Sequence, residues 1–532
     1  PHYIAPGASV KNSILADGCV IEGEVVTVMS IANPELEILF YALNKLGAII
    51  NLIDVRSDYR QIKKYLKEVK SSTVVVMDYF LPEFDKCMED EEIDNIVENV
   101  ITLSPFNSVL FPFNVLAEKK ARKEDSTLYS KIDGVKKKDK YMTWNDLMNV
   151  SKYRCPRYPR YKKDMVAALV HTGGTTGVPK TVELSNENFN AMAIQYKSLN
   201  ANYNKGDTFL NGIVPFVAYG IVVTIHMPMC LGMTNIIAPI LSPKEFTEFM
   251  IKYKPNHTVT VPTYVEHFVH DKKANSMNWK CLKNLGIGGD YFSEQSEIYV
   301  NEFLKRHGSS SIAEKGYGMT ENSATAGVCL VGVNKINSLG IPLPLNTYGI
   351  FERGSDRELK YGEEGEICIT GPTEMLGYLN NKEEEDKVIK VHSDGKRWIH
   401  SEDVGLIDED GFLFFKGRYK RMFTHGGFKL YPSYIEGIIT SHPDIDNCCV
   451  ISVPDQVYGF SPEAHIVVKK DSVKELKELK EELIKLCQDK LSEYSQPDDF
   501  IFEEDLPLTS VGKVDYKKVE KTRVRKLEES TK

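Results

Sequence analysis

None of the ten cysteines in this 532-residue chain forms a C-x-x-C pair. No small disulfide framework is spelled by their spacing, which excludes a scaffold held by cross-links. Reduced thiols in a cytoplasmic protein, most of them plain core residues, are expected. A basic excess is also missing: 66 Lys and Arg against 75 Asp and Glu leave a formal net charge of -9. Phosphate backbones need a basic surface, so no nucleic-acid partner is expected. The first residues lack the basic-then-apolar pattern of a secretory leader. Between Asp207 and Lys244 there is no charged residue at all, a length that could cross a bilayer. Pro215, Gly220, Pro228, Gly232 and Pro239 interrupt it, and His226 sits in its middle. A buried strand–helix–strand unit is expected there, not a transmembrane segment. What remains is ordinary globular composition, 42% apolar and 27% charged.

Residues 1–24 differ from the rest of the chain. Ile4, Val10, Leu15 and Ile21 recur at spacings near six with glycines between them, a hexapeptide period. The stretch resembles the β-helix tail of ADP-glucose pyrophosphorylases and reads as a fusion. From Val25 an α/β pattern begins: VVTVMS as a strand, PELEILFYALNKL as a helix stopped by Gly47, STVVVMD as a further strand. Residues 116–163 are polar and rich in Lys and Arg, and read as a solvated excursion. Strands and helices resume at Met165. A helix over 472–491 carries Leu476, Leu479, Leu483, Leu486 and Leu491, with Ser472 and Glu475 as a capping box. The charged run from Lys416 to Arg421 marks a hinge.

The strongest local signal is His171-Thr-Gly-Gly-Thr-Thr-Gly-Val-Pro-Lys180. It follows the apolar strand MVAALV. Glycines let backbone N–H groups approach an anion, hydroxyls add donors, and Lys180 adds charge. It is not a Walker A loop, because Pro179 stands where that loop needs Gly. The segment resembles the T-[SG]-G-[ST]-[ST]-G-x-P-K signature of the adenylate-forming superfamily, which holds acyl-CoA synthetases, peptide-synthetase adenylation domains and luciferases. Six further motifs follow in the family's order: Gly288-Gly289-Asp290, Tyr317-Gly318-Met319-Thr320-Glu321, Ser401-Glu402-Asp403, Gly417-Arg418-Tyr419-Lys420, Gly427-Phe428-Lys429, and Pro507-Leu-Thr-Ser-Val-Gly-Lys513. The resemblance covers about residues 25–520.

It implies an α/β fold: a large domain of helix-covered sheets over 25–417, then a small mobile α+β domain over 418–532. It implies an acid–thiol ligase that activates a carboxylic acid with ATP and Mg²⁺ and passes the acyl group to coenzyme A. In this frame Thr172, Gly173, Gly174, Thr175, Thr176, Gly177 and Lys180 cradle phosphate. Gly288, Gly289 and Asp290 line adenine, Tyr317 stacks beside it, and Gly318 shares that turn. Thr320 touches the α-phosphate, Glu321 holds the metal, and Asp403 takes the ribose with Arg418 near it. Lys513 is the catalytic lysine of adenylation. Lys420 is the hinge, and Gly426, Gly427 and Lys429 line the path of CoA. Tyr219, Gly220, Tyr264 and Ala324 are expected to bound the acyl pocket, whose small residues leave room for a fatty chain or an aromatic acid.

Three departures stand out. The usual T-G-D reads Ser401-Glu402-Asp403, which sets a second negative charge near the ribose ligand. The P-x-x-F-H-x-x-G motif reads Pro215-Phe-Val-Ala-Tyr-Gly220. The elements the family carries before VVTVMS are replaced by residues 1–24. Two other readings stay open: loading of a carrier protein, although no carrier domain is evident after residue 520, and a non-catalytic nucleotide-binding protein.

Overall fold

The computed structural model describes residues 22–135, 140–150, 158–172, 180–199, 201–239, 242–455, 457–470, 472–508 and 514–530. Residues 1–21, which hold most of the hexapeptide-like segment, lie outside that set. Among the described residues up to Arg418, three sheets are built. The first has eight strands. Six run parallel: Val166–His171, Ile49–Leu52, Val25–Met29, Thr73–Met77, Asn99–Leu103 and Tyr141–Thr143. Val26, Val28, Val74, Val75 and Val76 are 0–1% exposed, as expected of parallel strands covered on both faces. The helix Pro34–Leu46 starts at Asn33, whose side chain accepts from Leu36 N–H, and stops at Gly47 with φ 75°. A left-handed glycine just past the last turn is a standard helix stop.

The second sheet runs parallel through Thr234–Ile236, Thr208–Asn211, His257–Thr260, Asn284–Ile287 and Ala313–Tyr317. Between its first two strands in sequence lies the uncharged segment. It forms the buried helix Tyr219–His226, in which Ile221, Val222, Val223 and Ile225 are fully enclosed. Among the described residues no helix is long and apolar enough to cross a membrane. A third, antiparallel sheet joins Thr347–Phe351, Gly365–Thr370, Arg397–Ile407, Ile389–Val391 and Leu413–Arg418. Beyond it, the last hundred residues pack Pro432–Thr440 and Leu476–Lys490 on a three-stranded sheet with its own core.

Two local expectations are corrected. Residues 116–163 are more than a surface excursion, because Tyr141–Thr143 adds the edge strand of the first sheet. Three residues inside a charged stretch carry no readable period. The helix expected over 472–491 begins at Leu476, with Glu475 as an N-cap that makes no side-chain bond. Ser472 instead accepts from Lys474 N–H. Leu479, Leu483 and Cys487 form the buried face, and Leu476 is 51% exposed.

His226 is enclosed at the end of its helix, with Nδ1 3.2 Å from the Tyr41 hydroxyl. Burial holds its imidazole down to about 4, against about 6.5 in an unfolded chain. The unfolded state therefore binds the extra proton. This residue's contribution is complete above about pH 6.5 and is lost as pH falls toward 4. His226→Gln should flatten the fall in melting temperature across that window. An unchanged pH profile would assign the acid sensitivity to other groups.

Candidate active site

The glycine-rich loop leaves the first sheet at its strand Val166–His171 and returns on Thr181–Ser185. Its ends are tied together. Thr172 N donates to the Lys180 carbonyl at 2.9 Å, and Lys180 N donates to Thr172 Oγ1 at 3.0 Å. Below the loop, His171 stacks on Tyr65 with ring centroids 3.8 Å apart and meets Asn51 and Thr181 through its two nitrogens. Burial pushes the His171 imidazole down to about 3, so a neutral ring carries this base. Gly173, Gly174, Thr175, Thr176 and Gly177 lie outside the described residues.

Lys180 faces the Tyr317–Glu321 motif. Its Nζ is 2.6 Å from Glu384 Oε2 and stands 4.8 Å over the Tyr378 ring. The Tyr378 hydroxyl donates to Glu321 Oε1 at 2.6 Å. Lys180, followed by Lys387, holds the Glu384 carboxyl down to about 2. Thr320 and Glu321 open a short turn, closed by Ser323 and Ala324 at positive φ. Gly318 is needed there for space. A Cβ at this position would sit 1.7 Å from the Ala324 carbonyl oxygen. Tyr317, expected beside adenine, has its ring 8% exposed within the core of the third sheet, against Tyr348. What it turns toward the site is its hydroxyl, which donates to Asp403 Oδ2 at 2.9 Å.

Asp403 and Arg418 are directly opposed on neighbouring antiparallel strands. Cross-strand opposition places their charged ends within reach, and Arg418 Nε lies 2.9 Å from Asp403 Oδ1. Glu402 adopts φ 59°, a left-handed conformation that costs a residue with a Cβ roughly 1 kcal/mol. Its carboxylate pairs with Lys420 and its N–H donates to Glu366. The second negative charge expected to disturb the ribose ligand is thus neutralised by the residue expected to be the hinge.

Gly288 follows a parallel strand end, and Gly289 has φ 86°. The next residue but one, Tyr291, meets the small domain, where a Cβ on Gly437 would fall 2.0 Å from its ring. Gly426 and Gly427 have φ 56° and 87° between Phe423–His425 and Phe428–Leu430. Two consecutive left-handed residues make the hairpin turn that glycine pairs favour. Lys429 is exposed on that hairpin. Lys513 lies outside the described residues, but Leu508 and Val514 bridge across the base of its loop.

Of the four residues expected to bound the acyl pocket, Tyr219 lines a cavity beside the Gly288–Asp290 turn and its ring is 3.5 Å from where a Gly288 Cβ would stand. Gly220 serves packing: a Cβ there would meet the Val214 carbonyl at 1.9 Å. Tyr264 packs against the helices of the second sheet, and Ala324 against the main core. Three residues that sequence reasoning passed over, Tyr196, Tyr203 and Glu314, line the same cavity as Tyr219. The signal available was a lone Glu inside the strand AEKGY.

The three sheets, the motif set on their loops and the small C-terminal unit define the adenylate-forming class of enzymes. The chain belongs to the AMP-binding enzyme family, which matches residues 14–379, with the AMP-binding enzyme C-terminal domain matching 434–513. It is 27% identical over 513 residues to a long-chain-fatty-acid–CoA ligase of Bacillus subtilis (strain 168), covering 96% of this chain and 86% of that protein. It is 28% identical over 461 residues to the probable 4-coumarate–CoA ligase 1 of Dictyostelium discoideum, covering 86% and 79%. The anthranilate CoA ligase AuaEII in complex with anthranoyl-AMP has the same fold, with a TM-score of 0.77 at 19% identity over 94% of this chain and 88% of that one.

Proposed function

We propose that this chain is an AMP-forming acid–CoA ligase. The carboxylate of an acid attacks the α-phosphorus of ATP, pyrophosphate leaves, and an acyl-adenylate forms. The thiol of coenzyme A then displaces AMP. The observation that carries this reading is that two sets of contacts meet on the Tyr317–Glu321 segment: Thr172 with Lys180, whose Nζ stands over the Tyr378 ring that bonds Glu321, and Tyr317 with Asp403. Lys180 and the loop cradle the phosphates, Asp403 takes the ribose hydroxyls, and Lys513 supplies positive charge at the α-phosphate. Thr320 and Glu321 offer oxygen donors only, which suits a hard cation such as Mg²⁺. When bound, that ion neutralises phosphate charge. The relatives' names point to fatty and aromatic acids alike, and the two halves of the reaction are the same for both.

The small domain turns at Lys420 between the half-reactions, which replaces one face at the site by another. The Glu402–Lys420 pair restrains that turn in the arrangement described. Glu402→Gly relieves the left-handed strain, about 1 kcal/mol, and removes an exposed ion pair of similar worth. Melting temperature should therefore stay nearly constant. Thioester formation should rise relative to adenylation, because the hinge loses its restraint. An unaltered ratio of the two half-reactions would remove the pair from any role in the turn.

The reading is tested by pyrophosphate release with ATP, Mg²⁺ and a panel of carboxylic acids, each with and without CoA. Release that turns over only with CoA is the expected result. Acid-dependent release without CoA turnover would point to a carrier-protein acceptor. ATP binding with no release for any acid would mean a non-catalytic protein.

A further inference from the structure

The third sheet holds a cluster of ligand-type side chains that the ligase reading does not use. Glu366 and Cys368 lie two residues apart on the strand Gly365–Thr370, so their side chains share a face. His400, on Arg397–Ile407, is paired directly with Cys368, and the pairing then jumps to Glu366 with Val404. Residues 401–403 therefore bulge out opposite Ile367 alone, and Asp403 is the last of them. Bulges of this kind re-aim a side chain next to a site. The cluster stands at the foot of this bulge and is tied to it, because Glu366 Oε1 accepts from Glu402 N–H at 3.0 Å.

One oxygen, one sulfur and one nitrogen converge there. His400 Nδ1 is 2.9 Å from Glu366 Oε2 and 3.5 Å from Cys368 Sγ, and the three atoms all lie within 4.8 Å of one another. Glu366, Cys368 and His400 are 5%, 0% and 3% exposed. A single ring nitrogen cannot serve both neighbours. Protonated, it donates to the carboxylate and leaves the thiol proton without an acceptor among the described residues. Unprotonated, it accepts from the thiol and turns its lone pair on the carboxylate. A cation at the centre satisfies all three atoms. With metal–sulfur and metal–nitrogen bonds of about 2.3 and 2.0 Å, the edge of a zinc tetrahedron is about 3.5 Å. The nitrogen–sulfur separation matches that edge, and the nitrogen–oxygen pair has to open by roughly 0.4 Å to reach its own. Charge closes as well, since a thiolate and a carboxylate balance a divalent ion and so lower the cost of enclosing it. A further contact orients the imidazole. His400 Nε2 is 2.9 Å from His392 Nε2, and the His392 ring is stacked on Trp398 with centroids 5.5 Å apart. With Nδ1 on the ion, Nε2 carries the proton and donates to His392, the outer hydrogen bond that metal-bound histidines make.

We propose that Glu366, Cys368 and His400 bind a borderline-soft divalent cation such as Zn²⁺, which clamps two strands at the foot of the bulge that presents Asp403. Mixed sulfur, nitrogen and oxygen donors favour zinc over Mg²⁺, which takes oxygen ligands. Binding deprotonates the Cys368 thiol and releases that proton to solvent, so affinity falls about tenfold for each unit by which pH drops. The site is separate from the oxygen-only donors Thr320 and Glu321, and it stands whichever acid or acceptor the chain uses.

The test uses Co²⁺, which takes zinc's ligands and gives a near-ultraviolet charge-transfer band only when a thiolate is bound. The full chain is produced in Co²⁺-supplemented medium, so that the enclosed site fills as the chain folds, and is then washed with a chelator. One retained ion per chain with that band is expected, and Zn²⁺ should displace it. Cys368→Ser should abolish both band and retention. Glu366→Gln keeps size and shape and should weaken retention at least about 10-fold, while His392→Phe keeps the ring against Trp398 and should keep the band with binding weakened about 10- to 100-fold. Cys230→Ser is the control, because Cys230 Sγ also meets a histidine, His226 Nε2 at 3.3 Å, and its loss should change nothing. His442, Asp444 and Glu482 also cluster but hold no thiol, so an ion there gives no band. A wild-type chain without the band, a band that survives Cys368→Ser, or one lost in Cys230→Ser overturns the proposal. Where Cys368→Ser fails to fold, Glu366→Gln decides, and unaltered retention in that variant overturns the proposal equally.

Discussion

Lys513→Ala is expected to lower acyl-adenylate formation by on the order of 100- to 1,000-fold, the scale for losing one preorganised charge aimed at a developing anion. Thioester formation from supplied acyl-adenylate should fall far less. Charge sets the requirement. Two anions, a carboxylate and a triphosphate, must meet at the α-phosphorus. Among the described cations near the motifs, Arg418 is paired with Asp403 and Lys180 with Glu384. The P-L-T-x-x-G-K segment brings a further lysine on a loop whose base is closed by the Leu508–Val514 bridge and by Asp515 N donating to the Pro507 carbonyl at 2.7 Å. In the thioester half-reaction proposed above, the small domain turns and takes the lysine away from the centre. Single-turnover pyrophosphate release measures the first half. Thioester yield from synthetic acyl-adenylate measures the second. Equal losses in both would end the assignment of Lys513 to adenylation alone.

The glycine-rich segment after Val166–His171, the Thr320–Glu321 turn and Asp403 could be singled out because each belongs to a run of consecutive residues whose chemistry is local. Glycine spacing after an apolar strand is written in the chain itself. The same holds for the helix ended by Gly47 and for the uncharged segment, whose prolines and glycines fit a buried element better than a membrane span. Contacts between distant runs were not legible. Nothing in the sequence pairs Lys180 with Glu384, 204 residues on, or ties Glu314 through Asn284 and His257 to Asp207. Glu402 shows the same limit from the other side. Its charge was plain, but its sign of φ and its partner Lys420 emerge only when the two strands and the hinge are laid together. The capping box failed for a smaller reason: Ser472 bonds locally to Lys474 N–H, and such side-chain bonds compete with helix initiation.

Gly318→Ala should lower the melting temperature clearly and reduce adenylation by at least about 100-fold, because one methyl group has nowhere to go. Its Cβ would lie 1.7 Å from the Ala324 carbonyl oxygen and 2.9 Å from the Thr325 Cα. Both are backbone atoms, so no side-chain rotation relieves the overlap, and the turn from Met319 to Ala324 must move as a unit. That turn is tied on itself. Asn322, Ser323 and Ala324 N–H donate back to Met319 and Thr320 carbonyls, and Ser323 and Ala324 already hold positive φ. Overpacking a well-filled interior costs typically 1–3 kcal/mol even where side chains can yield, and here the obstacle is stiffer. Moving the turn shifts Thr320 and Glu321 together, and displacements near 1 Å at reacting groups cost about 100-fold in rate. Gly134→Ala is the matched control. Gly134 ends a helix with open space around its Cβ position, so alanine there should leave both melting temperature and adenylation unchanged or slightly improve stability. Should Gly318→Ala instead match Gly134→Ala in both measurements, the tight turn is not what holds Thr320 and Glu321, and their positions must be set by the Tyr378 hydroxyl and the Met375 N–H that meet Glu321 from the other side.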